Sequence, residues 1–323
     1  MADKILREAV NRFDVVGVLA EKNLEVKTFT NGEAIVGDLV IKTGASSFIK
    51  VKVFSNRLTK AGTESKTFTA LNTVNNEYKS IAETGNEETA DKVSAFGKLS
   101  EGKPFLNQQG DVVVSIANQL SFISRVTDMN KYEPKASWQG EVFVQGYRAE
   151  MKKEEGEEEL VETGRKLMKV VVPMYGGKVF PMDLVLMDID NNGCIEFFEE
   201  NVKRNSTVKV YCDLVNFTEK VVQGATTGGF GKKEPQVFTK VVNERVVVGA
   251  DDAYPEYEEG EESQKAYDPQ LITQALAIRE QSIEEAKNAT PSAPAPKTGF
   301  GGSAPKAPSA PSTPMGEDDE IPF

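Results

Sequence analysis

Apolar and polar residues alternate along much of the first 125 positions, as they do in half-buried β-strands. Between Glu64 and Glu83 the apolar side chains instead recur every three or four residues, which predicts a helix with one buried face. An Asn31-Gly32 pair between the first two runs predicts a tight hairpin turn. The strand-like runs are 15–29, 34–42, 48–54, 92–99 and 111–126.

The next 125 positions repeat this order of elements without a visible repeat of sequence. A short helix is predicted over 196–202, after three strands and before two more. The strand-like runs are 138–151, 167–172, 179–187, 207–217 and 237–248. Three strands, a helix and two strands is the order of the OB-fold, a five-stranded Greek-key barrel. We therefore predict an all-β chain with short helices, built from two tandem OB-fold-like barrels. Two β-domains of another topology are the alternative.

The C-terminal quarter has a different composition. Asp268-Pro269 is an N-cap followed by proline at the first helical position, so a helix is predicted from there to Ala289. Residues 290–315 contain 7 Pro, 5 Ala, 4 Ser and 3 Gly, and such a segment buries too little apolar surface to offset the entropy of ordering it. The predicted regions are a first barrel over 1–126, a second over 127–250, an acidic linker and helix over 251–289, and a disordered linker with an acidic tip over 290–323.

Composition excludes several classes of protein. The chain has no histidine, which rules out Ser-His-Asp and Cys-His catalysis and imidazole metal ligands. Its two cysteines, Cys194 and Cys212, are too few for a structural zinc site, and we expect no disulfide, metal or cofactor. We also expect a cytoplasmic protein with no membrane contact, because the N-terminus lacks a secretory signal and no apolar run is long enough to span a bilayer.

The net charge of −12 is concentrated at the C-terminal end. Residues 1–125 hold 16 Lys and Arg against 15 Asp and Glu, 126–250 hold 17 against 20, and 251–323 hold 5 against 15. Both predicted barrels are therefore close to neutral and are able to present a basic face. The acidic overall charge does not exclude a nucleic-acid ligand.

The final eight residues place four acids before Ile-Pro-Phe. At the end of a long linker this pattern is typical of a tethered ligand, whose phenyl ring fills an apolar pocket while its acids steer the encounter with a basic partner. The alternative is an acidic tail that only increases solubility. The predicted partner-binding residues are Asp318, Asp319, Glu320, Ile321, Pro322 and Phe323.

The ending Asp-Asp-Glu-Ile-Pro-Phe resembles the C-terminal tip of bacterial and phage single-stranded-DNA-binding proteins, which combine an OB-fold core, a Pro/Gly-rich linker and this tip. The run Val93–Leu99, which ends in Gly-Lys-Leu, weakly resembles a strand of the same family. The resemblance implies binding to single-stranded DNA. It also implies that the tip recruits replication, recombination or repair proteins of the polymerase, helicase or primase type. The second barrel departs from the family's pattern and indicates a phage-encoded two-domain member.

A surface that binds single-stranded DNA needs aromatic faces for stacking and cations for phosphates. Period two in the strand 48–54 places two phenyl rings and two lysines on one face, opposite a row of aliphatic residues. The alternative is a solvated face above a core. The predicted DNA-binding residues of the first barrel are Phe48, Lys50, Lys52, Phe54, Arg57 and Lys60.

The second barrel offers similar residue types. One phenyl ring and two lysines lie at the tip of a Gly/Thr-rich loop between its last two strands, where OB-folds bind their ligands. Trp138 fits a core position as well as a binding position. The predicted DNA-binding residues of this barrel are Phe143, Tyr147, Arg148, Arg165, Lys169, Phe230, Lys232 and Lys233.

One loop matches a calcium-binding pattern. Residues 188–199 have acids and a glycine at EF-hand spacing, but a strand is predicted where the entering helix should be. We expect a turn that caps the following helix, with calcium binding as the alternative. Asp183, Asp188 and Asp190 also leave open a metal-dependent nuclease site, although no further acidic motif supports it.

The sequence as a whole predicts a protein that is not an enzyme. It would coat single-stranded DNA with little sequence preference during replication, recombination or repair, and recruit partner proteins through its tip. A β-domain interaction scaffold of a replication complex and a metal-dependent nuclease are the two other interpretations.

Overall fold

The structure is a computed structural model that describes residues 5–30, 32–107, 111–153, 160–190, 192–223, 236–261 and 264–288. The strands are β1 (Asn11–Phe29), β2 (Gly32–Lys42), β3 (Phe48–Asn56), β4 (Lys92–Glu101), β5 (Phe105–Leu106), β6 (Val112–Val113), β7 (Ile116–Arg125), β8 (Lys135–Lys153), β9 (Leu160–Pro173), β10 (Val179–Leu186), β11 (Thr207–Gln223) and β12 (Gln236–Ala250). The α-helices are α1 (Lys66–Glu77), α2 (Ile81–Thr84), α3 (Cys194–Asn201) and α4 (Pro269–Asn288), with 3₁₀ turns at Met129–Lys131 and Tyr175–Gly177. Among these helices none has the length and apolar character needed to cross a membrane.

The first barrel closes through five strands. β1 pairs with β2 and β2 with β3, both antiparallel, and β3 then pairs parallel with β7. β7 pairs with β4, and β4 returns to β1, which closes the ring. In chain order, helix α1 lies between β3 and β4, and the short β5–β6 hairpin lies between β4 and β7. This order and this single parallel pair are the topology of an OB-fold.

The second barrel repeats the topology. β8 pairs with β9, β9 with β10, and β10 runs parallel to β12, which pairs with β11. β11 returns to β8 and closes this ring, and α3 occupies the place of α1. The prediction of an all-β fold with two OB-fold-like barrels is therefore confirmed.

The two barrels share one continuous sheet, because β1 also pairs with β8. Asn11 lies buried at this junction, where its side-chain oxygen accepts hydrogen bonds from the Trp138 indole at 2.9 Å and from the Leu99 amide at 3.0 Å. Its Nδ2 donates to the Leu99 carbonyl at 2.8 Å and to the Met174 sulfur at 3.7 Å, so the donors and the acceptor of this buried amide are matched. Trp138 is 1% exposed, which settles its position as a core residue.

The helix predicted over 64–83 divides in two. Ser65 caps α1, which buries apolar side chains at a spacing of three residues and ends at Glu77. Tyr78 is extended, and its hydroxyl accepts a hydrogen bond from the backbone amide of Arg125 on β7. The chain then starts the one-turn helix α2. Sequence periodicity missed the break, since the apolar spacing continues across it while tertiary contacts redirect the backbone.

The segment after β12 packs back onto the barrels. The hydroxyl of Tyr254 donates to the buried carboxylate of Glu141 on β8 at 2.8 Å, and Arg7 donates to the same carboxylate at 2.8 Å. Burial acts to raise the pKa of Glu141, but the hydrogen bonds from Arg7, the Val10 amide and Tyr254 outweigh it, so the pKa lies below its ordinary value. This network closes the outer face of β8 against the C-terminal segment.

The predicted C-terminal helix is present as α4, and it begins one residue after Asp268, whose carboxylate accepts a hydrogen bond from the Gln270 amide at 2.8 Å. The helix buries Ile272 and Ala275, and Arg279 forms a 2.6 Å ion pair with Glu101 of the first barrel. Residues up to Asn288 form one compact unit. The two cysteines, both within the described residues, are free.

Candidate nucleic-acid interface

The third strand of the first barrel alternates as predicted between core and solvent. The side chains of Ile49, Val51 and Val53 are buried, while the four residues between and beside them face solvent. Phe48 is 40% exposed and Phe54 is 54% exposed. Two exposed rings on one strand offer two stacking platforms for unpaired bases.

A second strand contributes a ring that the sequence did not predict. Phe29, at the end of β1, lies with its centroid 6.4 Å from that of Phe54, and the two ring planes are tilted by 57°. The register of β1 on β2 and of β2 on β3 brings these distant positions together. The Asn31-Gly32 turn was the available signal, because a hairpin there returns the chain beside Phe29.

The cations around these rings differ in how far their charge is compensated. Lys50 pairs with Asp38 of β2 at 2.9 Å, and Arg57 pairs with Glu33 at 2.5 Å. The exposed Lys52 and Lys60 form no ion pair with any residue that the structure describes. The Lys50–Asp38 and Arg57–Glu33 ion pairs lie at the surface, where such pairs contribute little free energy to stability and exchange readily for a phosphate. The β2–β3 face thus carries rings and available positive charge.

Of the residues predicted in the second barrel, Phe143 is buried and Tyr147 is partly buried against the core. Phe143 is 4% exposed, and burial extends over Val142 and Val144 on either side of it. Both faces of β8 are covered here, because one lines the barrel and the other lies under the C-terminal segment that contacts Glu141. Phe143 therefore has no free face for a base, and its predicted DNA-binding role is wrong.

Tyr147 is also structural. Its hydroxyl donates to the Val202 carbonyl at 2.5 Å and lies 3.3 Å from the Phe198 carbonyl at the end of α3. Burial raises the pKa of this hydroxyl well above its ordinary value. A register shift in β8 between Val144 and Gly146 interrupts the regular alternation of the strand, and the ring of Tyr147 packs against the core.

The charged residues predicted in this barrel are on its surface, and two of them are ion-paired. Arg148 pairs with Asp183 at 2.7 Å, and Arg165 pairs with Glu244 at 2.8 Å and lies 3.1 Å from Glu150. Lys169 is exposed on β9. The predicted residues Phe230, Lys232 and Lys233 lie outside the described residues. The partner-binding residues Asp318, Asp319, Glu320, Ile321, Pro322 and Phe323 lie outside them as well.

A cleft between the barrels was missed by the sequence analysis. It has a volume of about 240 Å³ and lies between β3 and β7 of the first barrel and β11 and β12 of the second. Lys50 and Lys52 reach it from one side and Arg245 from the other. An arginine within a Val-rich strand is a signal that could have been noticed, but only the packing of the two barrels places it beside β3.

The EF-hand-like loop forms a helix cap in the structure. The Asp188 carboxylate accepts a hydrogen bond from the Ile195 amide at 3.1 Å, and the Asn192 side chain accepts one from the Cys194 amide at 3.2 Å. The preceding segment is strand β10, as predicted. Within the described ranges, no three Asp, Glu or Cys side chains are grouped so that they could hold a metal ion.

No curated protein matches the chain by sequence. The wild-type single-stranded DNA binding protein from Thermus aquaticus aligns with 80% of this chain and 99% of its own, at 8% identity and a TM-score of 0.44. A deletion and substitution mutant of that protein aligns with 79% of this chain and 99% of its own, at 9% identity and a TM-score of 0.43. A replication protein A heterotrimer bound to single-stranded DNA has a TM-score of 0.18 at 9% identity, over 88% of this chain and 54% of its own. Scores this low carry no statement about function or binding residues.

One family model matches most of the chain. The model of the YorF family covers residues 9–289, which include every strand and α-helix from β1 to α4. The tip that resembles single-stranded-DNA-binding proteins lies beyond this range. By the extent of the match, the chain belongs to the YorF family.

Proposed function

We propose that this chain binds single-stranded DNA with little sequence preference and is not an enzyme. The observation that carries the proposal is the outer face of β3, where Phe48 and Phe54 are exposed on the same side as Lys50 and Lys52. Two lysines flanked by two rings suit a flexible strand whose bases are free to stack and whose phosphates carry charge. Duplex DNA offers phosphates but no accessible base faces.

Stacking on the two rings supplies part of the expected affinity, beside the contacts of lysines with phosphates. Each base stacked on an aromatic ring contributes about 1–3 kcal/mol, irrespective of which base it is. The β2–β3 face is also the surface with which OB-folds contact oligonucleotides. Phe48 and Phe54 are six residues apart on one strand, so their positions are separated by about 20 Å, room for more than one nucleotide.

The test is a fluorescence titration of the full chain with a dT oligonucleotide and with a duplex of equal length. We expect tighter binding to the single strand. The logarithm of the affinity should fall linearly with the logarithm of salt concentration, with a slope of about −0.7 for each phosphate contacted. Equal affinity for the duplex, or no binding to the oligonucleotide, would defeat the proposal.

We further propose that the chain acts in DNA replication, recombination or repair in the cytoplasm, and that its acidic tip, residues 318–323, recruits proteins of those systems. The support is the chemistry of the segment: its three acids steer it to a basic surface, and Ile321 and Phe323 supply apolar anchors. A synthetic peptide of the tip should bind a bacterial polymerase, helicase or primase, and a peptide with Phe323→Ala should not. Equal binding of the two peptides would refute the role of the ring.

A further inference from the structure

The cleft between the barrels contains more positive charge than its acids compensate. Its acidic residue is Glu244, and that carboxylate is already paired with Arg165 at 2.8 Å. Asn118 of β7, Asn216 of β11 and Asn243 of β12 add neutral amide groups to the lining. Cationic and amide side chains from four strands therefore line one small volume, in which the Nδ2 of Asn118 already donates to the Lys50 carbonyl at 3.0 Å.

Arg245 is the unusual member of this group. Its guanidinium is largely buried, its Nε has no hydrogen-bond partner, and within the described residues it forms no ion pair. Burial lowers its pKa, which means that the environment disfavours its charge. A buried arginine without an anion costs free energy that a well-placed anion would recover.

Lys52 lines the same cleft from the first barrel. Lys50 beside it is held by Asp38 at 2.9 Å, whereas no acid of the described chain pairs with Lys52. The cleft thus joins two uncompensated cations, one from β3 and one from β12. Because arginine binds phosphate oxygens through a planar fork and lysine binds as a point charge, the pair suits a tetrahedral phosphate.

We propose that this cleft binds a backbone phosphate of the single strand, with Arg245 and Lys52 as its ligands. This proposal rests on the proposed function. It adds the path of the DNA, because the single strand that stacks on β3 would continue into the cleft and there contact β11 and β12 of the second barrel. The two barrels therefore act as one binding surface.

The first test uses inorganic phosphate and thermal unfolding of the full chain. Arg245→Met should melt at a higher temperature than the wild type in phosphate-free buffer, because an uncompensated buried charge is gone. Phosphate should raise the melting temperature of the wild type and leave that of Arg245→Met unchanged. If phosphate stabilises both proteins equally, Arg245 is not its ligand.

The second test uses a dT oligonucleotide over a series of salt concentrations. Arg245→Met and Lys52→Met should each bind about tenfold more weakly, with a salt slope shallower by about 0.7. Because both residues would hold one phosphate, the double variant should lose less affinity than the two single losses combined. Lys178→Met, which removes an exposed cation outside the cleft, is the matched control.

The outcomes separate the two proposals. If the wild type binds the oligonucleotide and both cleft variants retain its affinity and slope, the cleft proposal falls while the proposed function stands. If the wild type does not bind the oligonucleotide but phosphate stabilises it through Arg245, the cleft accepts free phosphate and both proposals fall. Should Arg245→Met fail to fold, Lys52→Met decides in the phosphate melting assay, since Lys52 is exposed and supports no core contact. Phosphate that stabilises Lys52→Met as much as the wild type would refute the cleft site.

Discussion

Phe54→Ala is the sharpest test of the β3 face. The ring is 54% exposed and contacts a second ring, Phe29, at a centroid distance of 6.4 Å. The buried side of the strand is formed by the aliphatic residues on the opposite face, so the substitution leaves the barrel core unchanged. We expect a change in the free energy of unfolding of about 0.5 kcal/mol or less, as for other surface substitutions.

The loss of DNA affinity should be much larger than the loss of stability. Removing one stacking platform costs about 1–3 kcal/mol, which corresponds to about 5- to 150-fold in the dissociation constant. Because roughly half of the ring is covered, we expect the lower part of that range, about tenfold. The slope of affinity against salt should stay unchanged, since the substitution removes no charge.

The assay is a titration of a fluorescent dT oligonucleotide with wild type, Phe54→Ala and the control Phe122→Ala. Phe122 on β7 is 46% exposed and lies 5.6 Å from Phe96, so it matches Phe54 in exposure and in having a ring neighbour, but it is away from β2. We expect Phe122→Ala to bind as the wild type does. Equal losses in the two variants, or no loss in Phe54→Ala, would refute the assignment of the β3 face.

Three further predictions concern the junction, the buried network and the tip. Asn11→Ala removes the acceptor of two buried donors, Trp138 Nε1 and the Leu99 amide, and should lower the free energy of unfolding by about 2 kcal/mol in urea denaturation; a change within error would mean that water replaces the amide. Glu141→Gln should lower the free energy of unfolding by about 2–3 kcal/mol at pH 7. Because the pKa of Glu141 is lower in the folded state, the stability difference between wild type and variant should be complete above the unfolded-state pKa and should shrink as the pH falls through the folded-state pKa. A difference that grows in acid would contradict this. Deleting residues 318–323 should leave oligonucleotide affinity equal or tighter while abolishing recruitment of partner proteins, and a loss of DNA affinity in the same titration would mean that the tip contributes to DNA binding.

The arrangement of the two barrels explains why one strand carries so much of the proposed site. β3 borders both the open β2–β3 face and the cleft with the second barrel. The outward lysines of β3 face that cleft, while its rings point to solvent at either end. A ligand bound along β3 would therefore contact both OB-folds without any movement of one relative to the other.

The sequence alone determined the fold class and the order of elements. Period two in 48–54 predicted which face of β3 is buried, and the structure places Ile49, Val51 and Val53 inside accordingly. The Asp268-Pro269 pair similarly predicted the start of α4. These features depend on neighbours in sequence, because strand alternation and helix capping are local effects.

Only the tertiary structure decided which surfaces are free. Phe143 alternates correctly for an exposed ring, yet a segment more than a hundred residues later in the chain covers its strand. Arg245 has no local feature that marks it as a ligand, and its missing partner follows from the packing of one barrel on the other. The exposure of a side chain and the pairing of its charge depend on contacts with residues distant in sequence, so a local sequence pattern determines neither of them.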